Sequence, residues 1–118
     1  MLNYPMALET CDDLLGFNMN DFRATMYKGF LYEDLKQMDS AMIYYGRALK
    51  ILDNPNFFKS ENIAKDREKI ILTGLLKDTF NFKRSVTNFN IKYDTSRFFK
   101  YYSDEFINFD RSKYISDF

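Results

Sequence analysis

Apolar residues recur at intervals of three and four along most of the chain, the spacing that lines one face of an α-helix. Between Phe22 and Lys36, the residues Phe22, Met26, Phe30 and Leu31 follow this rule, and Asp21 stands where an N-cap is needed. Between Asp39 and Leu52, the residues Ala41, Tyr44, Tyr45, Ala48, Leu49 and Leu52 repeat the pattern, while Ser40, Arg47 and Lys50 fall between them. Asp39 is the expected N-cap of this second helix. The intervening Lys36-Gln37-Met38 is short enough to force the two helices antiparallel, so this region predicts a helical hairpin.

Asp53-Asn54-Pro55-Asn56 stops the second helix, because a residue preceding proline is disfavoured in the helical region. Ser60 and Glu61 open a third element running to about Asp78, with Ile63, Ile70, Ile71, Leu72, Leu75 and Leu76 as its apolar set. A fourth helix, about Asn81 to Lys92, presents Phe82, Val86, Phe89 and Tyr93. Asp94-Thr95 can cap a fifth, in which Phe98, Phe99, Tyr102, Phe106 and Phe109 form an aromatic stripe expected to pack on the preceding hairpin as an end cap. One more helix, Tyr4 to Leu15, precedes them all and ends near Gly16. Period-two alternation is nowhere sustained, so the fold class expected is all-α.

Composition narrows the chemistry. At 118 residues the chain has one domain's worth of length, and residues 1–118 are expected to form a single helical domain. Seventeen basic and seventeen acidic residues cancel, which removes the positive field that duplex nucleic acid or an anionic membrane surface favours. There is no histidine, so a triad with a His base, a His-containing metal site and an imidazole switch are excluded in this chain. The lone Cys11 cannot form an internal disulfide and lies on a predicted packing face, where it reads as a small core residue in a reducing, cytoplasmic setting. No run approaches the roughly 18 apolar residues of a membrane helix, and no basic-then-apolar leader opens the chain.

Adjacent carboxylates at Asp12-Asp13, Glu33-Asp34 and Asp104-Glu105 point about 100° apart on a helix and do not converge for acid/base work. The four glycines are scattered singly and form no phosphate loop, and no cofactor is expected. Arg97-Phe98-Phe99-Lys100-Tyr101-Tyr102 interleaves cations with aromatics, a pattern that can stack unpaired nucleotides. Asp104, Glu105 and Asp110 follow it at once, so single-stranded nucleic-acid binding is a minor alternative to a buried aromatic stripe.

The hairpin carries a further pattern: Gly29, Tyr32 three residues on, Ala41 nine beyond, then Tyr45 and Ala48. On a helix-turn-helix these residues resemble the tetratricopeptide repeat, over Phe22 to about Pro55. Gly29 and Ala41 fit where two helices approach closely, and Tyr32 and Tyr45 fill the wider gaps beside them. Thr25 stands where the family has tryptophan, Lys28 where it has leucine, and Pro55 falls slightly late. A shift of 34 residues places Ala7, Cys11 and Leu14 on Ala41, Tyr45 and Ala48, so Met1 to Met19 reads as the second half of a preceding repeat. Forward, Gly74 can stand in for Gly29 and Ser85 for Ala41 at an offset near 45, giving a longer, degenerate unit.

The resemblance implies hairpins stacked as a short right-handed superhelical array with a C-terminal capping helix. It also implies a non-catalytic protein-protein interaction module whose concave groove binds a peptide or helix of a partner. The groove positions implied are Arg23, Met26, Tyr27, Phe30, Glu33 and Asp34, and in the degenerate unit Glu68, Ile71, Leu75 and Asp78. Met26 and Phe30 take the place of the lysines and asparagines with which some relatives clamp a carboxylate. An apolar or amphipathic segment carrying a basic residue suits this groove better. A peptide-sensing regulator of which this is the sensor part is the runner-up. The unmatched first helix leaves Leu2, Met6, Leu14, Leu15 and Phe17 on an uncovered flank, so the expectation is either a homodimer closed through this edge or a chain cut from a longer array.

Overall fold

The computed structural model describes residues 3–54, 63–93 and 104–116. Helix accounts for 84% of them and no strand occurs among them, as the apolar spacing predicts. Within the 118 residues expected to form one domain, the helices gather into two compact units, Met1–Ser60 and Glu61–Phe118.

The first unit holds α1 (Tyr4–Phe17), α2 (Phe22–Asp34) and α3 (Met38–Asp53). Helix α1 starts because the Asn3 side chain accepts from Met6 N at 3.1 Å and Pro5 sits in the first turn, where its missing N–H leaves no bond unmade. It runs past Gly16, two residues beyond the expected end. Asp21 caps α2 as expected, accepting from Ala24 N at 3.1 Å. Asp39 does not cap α3: the cap position falls two residues earlier, at Gln37, with no side-chain cap bond. Helix α3 stops at Asp53 because Asn54, preceding Pro55, is extended at φ −82° and ψ 114°.

Helix α2 ends two residues short of the expected Lys36, and the reason is a Schellman turn. Lys36 N donates to Glu33 O at 3.0 Å, Gln37 N donates to Tyr32 O at 2.8 Å, and Lys36 sits in the left-handed region at φ 62°. This turn reverses the chain and lays α3 back on α2. Across that crossing Tyr45 is 0% exposed, between Ala41 and Ala48, which are also fully buried. A methyl group built on Gly29 would stand 2.6 Å from Cδ1 of Tyr45 and closer still to its Cε1, so only glycine admits the ring at this depth. Phe30 lies against the same ring, centroids 5.9 Å apart, and Tyr32 stacks on Tyr44 at 5.5 Å. Gly29 thus meets the second helix where the sequence pattern predicts.

The second unit pairs α4 (Ile63–Leu75) with α5 (Thr79–Tyr93). Its turn is a copy of the first: Lys77 N donates to Gly74 O at 3.0 Å, Asp78 N to Thr73 O at 3.2 Å, and Lys77 has φ 60°. The two turns lie 41 residues apart in sequence, not near 45. That register puts Ile70, not Gly74, at the place of Gly29, and Phe82, not Ser85, at the place of Ala41. Gly74 instead gives room to Phe82 and Phe109, whose rings lie 3.1 Å and 2.9 Å from a methyl built there. Bulky residues at the small positions explain why the second hairpin lacks the sequence signature of the first.

Of the expected fifth helix, the described part is helical over 104–107 and ends two residues short of Phe109. Asp94, Thr95, Phe98, Phe99 and Tyr102 lie outside the described residues, while 104–107 form a helical turn and α6 (Arg111–Ser116) follows after a break. The aromatic cap is nevertheless in place where it is described. Phe106 is buried with its ring edge-on to Phe89 at 5.0 Å, and Phe109 leans on Phe82 at 5.7 Å. Arg111 Nη2 donates to Leu75 O at 2.9 Å, placing a cation on a carbonyl at the C-terminal end of α4.

The Gly29 contact makes a prediction with opposite signs at two sites. Glycine to alanine inside a helix ordinarily stabilises by about 0.5–1 kcal/mol, and Gly46→Ala should do so because nothing lies within 4 Å of its added methyl. Gly29→Ala should instead cost about 1–2 kcal/mol, since the buried Tyr45 ring has to yield. Urea denaturation followed by circular dichroism checks both; stabilisation by Gly29→Ala would show that the crossing is looser than described.

Candidate partner-binding surface

Of the ten groove positions, four are core side chains. Met26 and Phe30 are each 3% exposed, and Ile71 and Leu75 are 0% exposed. They carry the apolar character expected of the groove but present no surface to a ligand, and the expectation is corrected there. Period-3.6 spacing marks a face that is buried, without saying whether the burial is inside the chain or beneath a partner.

The remaining positions reach the surface, and the four carboxylates among them are already hydrogen-bonded. Tyr45 donates from its hydroxyl to Glu33 Oε1 at 3.0 Å, and Tyr4 of α1 donates to Asp34 Oδ2 at 3.1 Å. Asp34 holds the Tyr4 hydroxyl in its protonated form and raises its pKa. Arg23 is exposed, its guanidinium 5.3 Å from the Phe22 ring centroid, and half-buried Tyr27 meets Phe30 edge-on at 6.5 Å. Arg23, Tyr27 and Asp34 therefore share one face of α2, a strip with a cation at one end, an aromatic ring near the middle and a carboxylate at the other, and Glu33 stands on its flank toward α3. Glu68 and Asp78 serve the fold of the second unit. Glu68 accepts from Arg67 Nη1 at 2.7 Å, and Asp78 accepts from Asn81 N at 3.2 Å as the cap of α5.

No family model, curated protein or solved structure matches this chain.

Two polar clusters were not legible as groove residues. In the first unit, Lys28 Nζ lies 2.5 Å from Asp12 Oδ1 and 4.7 Å from the Tyr44 ring, near which Arg47 also stands at 5.0 Å. Burial pulls the Lys28 ammonium pKa down, but the hydrogen bonds to Asp12 and Tyr44 outweigh it and leave the group above its usual range. The lysine at a position where the repeat pattern has leucine was the available signal. It ties α1 to α2 through an ion pair, beside Cys11, which is buried and whose thiol is pushed up chiefly by that burial.

In the second unit, Arg67 Nε donates to Glu105 Oε1 at 2.9 Å, its Nη2 reaches the same oxygen, and its guanidinium stands 5.8 Å from the Tyr114 ring. Arg67 thereby fixes the segment containing the 104–107 turn against α4. A cleft of about 220 Å³ opens between α4 and α5 beside Ile70 and Phe89. It is smaller than a typical small-molecule site of roughly 300–1,000 Å³. Its carboxylate, Asp66, already accepts from Lys92 at 3.1 Å and from the Tyr93 hydroxyl at 2.5 Å. Among the described residues, no group of three or more Cys, Asp or Glu side chains is gathered so as to hold a metal ion, and no helix is long and apolar enough to cross a membrane.

Burial, with the Glu68 carboxylate nearby, pushes the Tyr114 phenol from 10.0 up to about 12. A folded-state pKa raised above the unfolded value means that the neutral phenol stabilises the fold fully below pH 10 and that this contribution is lost as pH climbs toward 12. Tyr114→Phe should therefore make alkaline unfolding shallower over that window, with little change at neutral pH. Identical alkaline transitions for wild type and variant would remove Tyr114 from the linkage.

Proposed function

We propose that the chain is a non-catalytic protein-interaction module of the tetratricopeptide-repeat kind, which binds a peptide or helix of a partner protein along the α2 strip. The observation that carries this reading is the Gly29–Tyr45 contact between α2 and α3, flanked by fully buried Ala41 and Ala48. It is the small-against-aromatic pairing with which that repeat brings its two helices together. A reducing, cytoplasmic setting belongs to the same reading, since Cys11 is a buried thiol.

With Met26 and Phe30 in the core, recognition falls to Arg23, Tyr27, Glu33 and Asp34. Tyr27 offers a ring for an apolar or aromatic anchor, and the two carboxylates favour a basic residue about two turns further along the partner. Their hydrogen bonds to Tyr45 and Tyr4 hold both carboxylates in place, which lowers the ordering cost of binding.

Peptides selected on the whole chain from a displayed random library should carry a basic residue spaced from an apolar anchor. Arg23→Glu combined with Tyr27→Ala should weaken their binding at least about tenfold, with the helical circular dichroism spectrum retained. Selected peptides that bind the double variant as tightly as the wild type would place the site away from α2.

A further inference from the structure

We propose that copies of this chain associate head to tail, the outer face of α5 in one copy seating on the outer face of α1 in the next. The surface is distinct from the α2 strip and does not depend on what that strip binds. Met6 and Phe17 on α1 are 64% and 93% exposed, and Phe80 and Ile91 on α5 are 73% and 72% exposed. In each helix the two apolar side chains stand eleven residues apart. Eleven residues make about three helical turns, so each pair shares one face with its members roughly 16 Å apart. The two faces carry anchors at matched spacing.

The charges between the anchors are opposite. Helix α1 carries Glu9, Asp12 and Asp13 and no basic residue, whereas α5 carries Lys83, Arg84 and Lys92 and no acidic one. Asp12 is paired with Lys28 and Lys92 with Asp66. Glu9, Asp13, Lys83 and Arg84 are exposed and have no ion-pair partner among the described residues. Antiparallel docking, which the helix dipoles favour, sets Phe17 across from Phe80, Met6 across from Ile91 and Asp13 across from Arg84.

The occupant is a second copy because the complementary face is on the chain itself. A symmetric dimer through α1, the closed solution expected from the sequence, would bring Glu9 of each copy beside Asp13 of the other and expose the pair to like-charge repulsion. Docking α5 on α1 removes that repulsion. Such a contact is heterologous, so it builds a ring or an open chain.

Sedimentation velocity on the whole chain tests this. The weight-average mass should rise above that of the 14.2 kDa monomer as concentration increases through the micromolar range, and should fall when salt screens the charges. Asp13→Arg and Arg84→Asp should each weaken association at least about tenfold. An equimolar mixture of the two variants should restore it, because each then offers the other two matched faces. Both residues are exposed, so unchanged circular dichroism is the control for folding. The proposal is overturned by a wild type that stays monomeric at high micromolar concentration in low salt, or by a mixture that fails to re-associate. Assembly lost in Asp13→Arg but intact in Arg84→Asp would also overturn it, by assigning the contact to α1 against α1.

Discussion

The first unit depends on one close approach, the Cδ1–Cε1 edge of the Tyr45 ring occupying the space a side chain on Gly29 would need. A side chain of any size at that position would hold α3 away from α2, and the alanines at 41 and 48 would then face a gap instead of a wall. Because the ring sits so deep, its hydroxyl emerges beside Glu33 and fixes that carboxylate at the surface. The packing constraint inside and the charge placement outside are two ends of one side chain.

The same logic explains why the two hairpins share a turn but not a signature. Both reverse through a Schellman turn with a lysine in the left-handed region, at Lys36 and Lys77, although glycine suits that conformation better. In the second hairpin Phe82 occupies the place of Ala41, so no close crossing forms by that route. Its core is built instead from Ile71, Leu72 and Leu75, with Phe89 meeting Phe106 and Phe82 meeting Phe109. One unit is held by a ring seated against a glycine and the other by a pile of aromatic rings, and Arg67 and Arg111 pin the segment that supplies the last of those rings.

Helix number and order through Tyr93 could be read from apolar spacing, and so could the Asp21 cap, the stop before Pro55 and the partner of Gly29. Helix ends were less legible, because a Schellman turn formed by Leu35-Lys36-Gln37 has no glycine to announce it. The offset between the two hairpins was less legible for a related reason: Gly74 drew the alignment near 45, whereas the two backbone turns lie 41 residues apart. At the candidate site the pattern gave the apolar positions of α2 but not their depth. Met26 and Phe30 are inside, whereas Arg23, Tyr27, Glu33 and Asp34 reach the surface. The Lys28–Asp12 pair joins residues sixteen positions apart across two helices, which no local pattern encodes.

The most direct test of the Gly29–Tyr45 interlock is nuclear magnetic resonance on the chain in solution. The Cδ1–Cε1 edge of the Tyr45 ring lies close enough to Gly29 for its ring current to displace the α-proton resonances. The Gly29 α-protons should therefore show a ring-current shift and strong nuclear Overhauser contacts to the Tyr45 ring, and the shift should vanish in Tyr45→Leu. Gly29 α-protons at ordinary helical shifts, with no contact to Tyr45, would contradict the interlock and with it the architecture of the first unit.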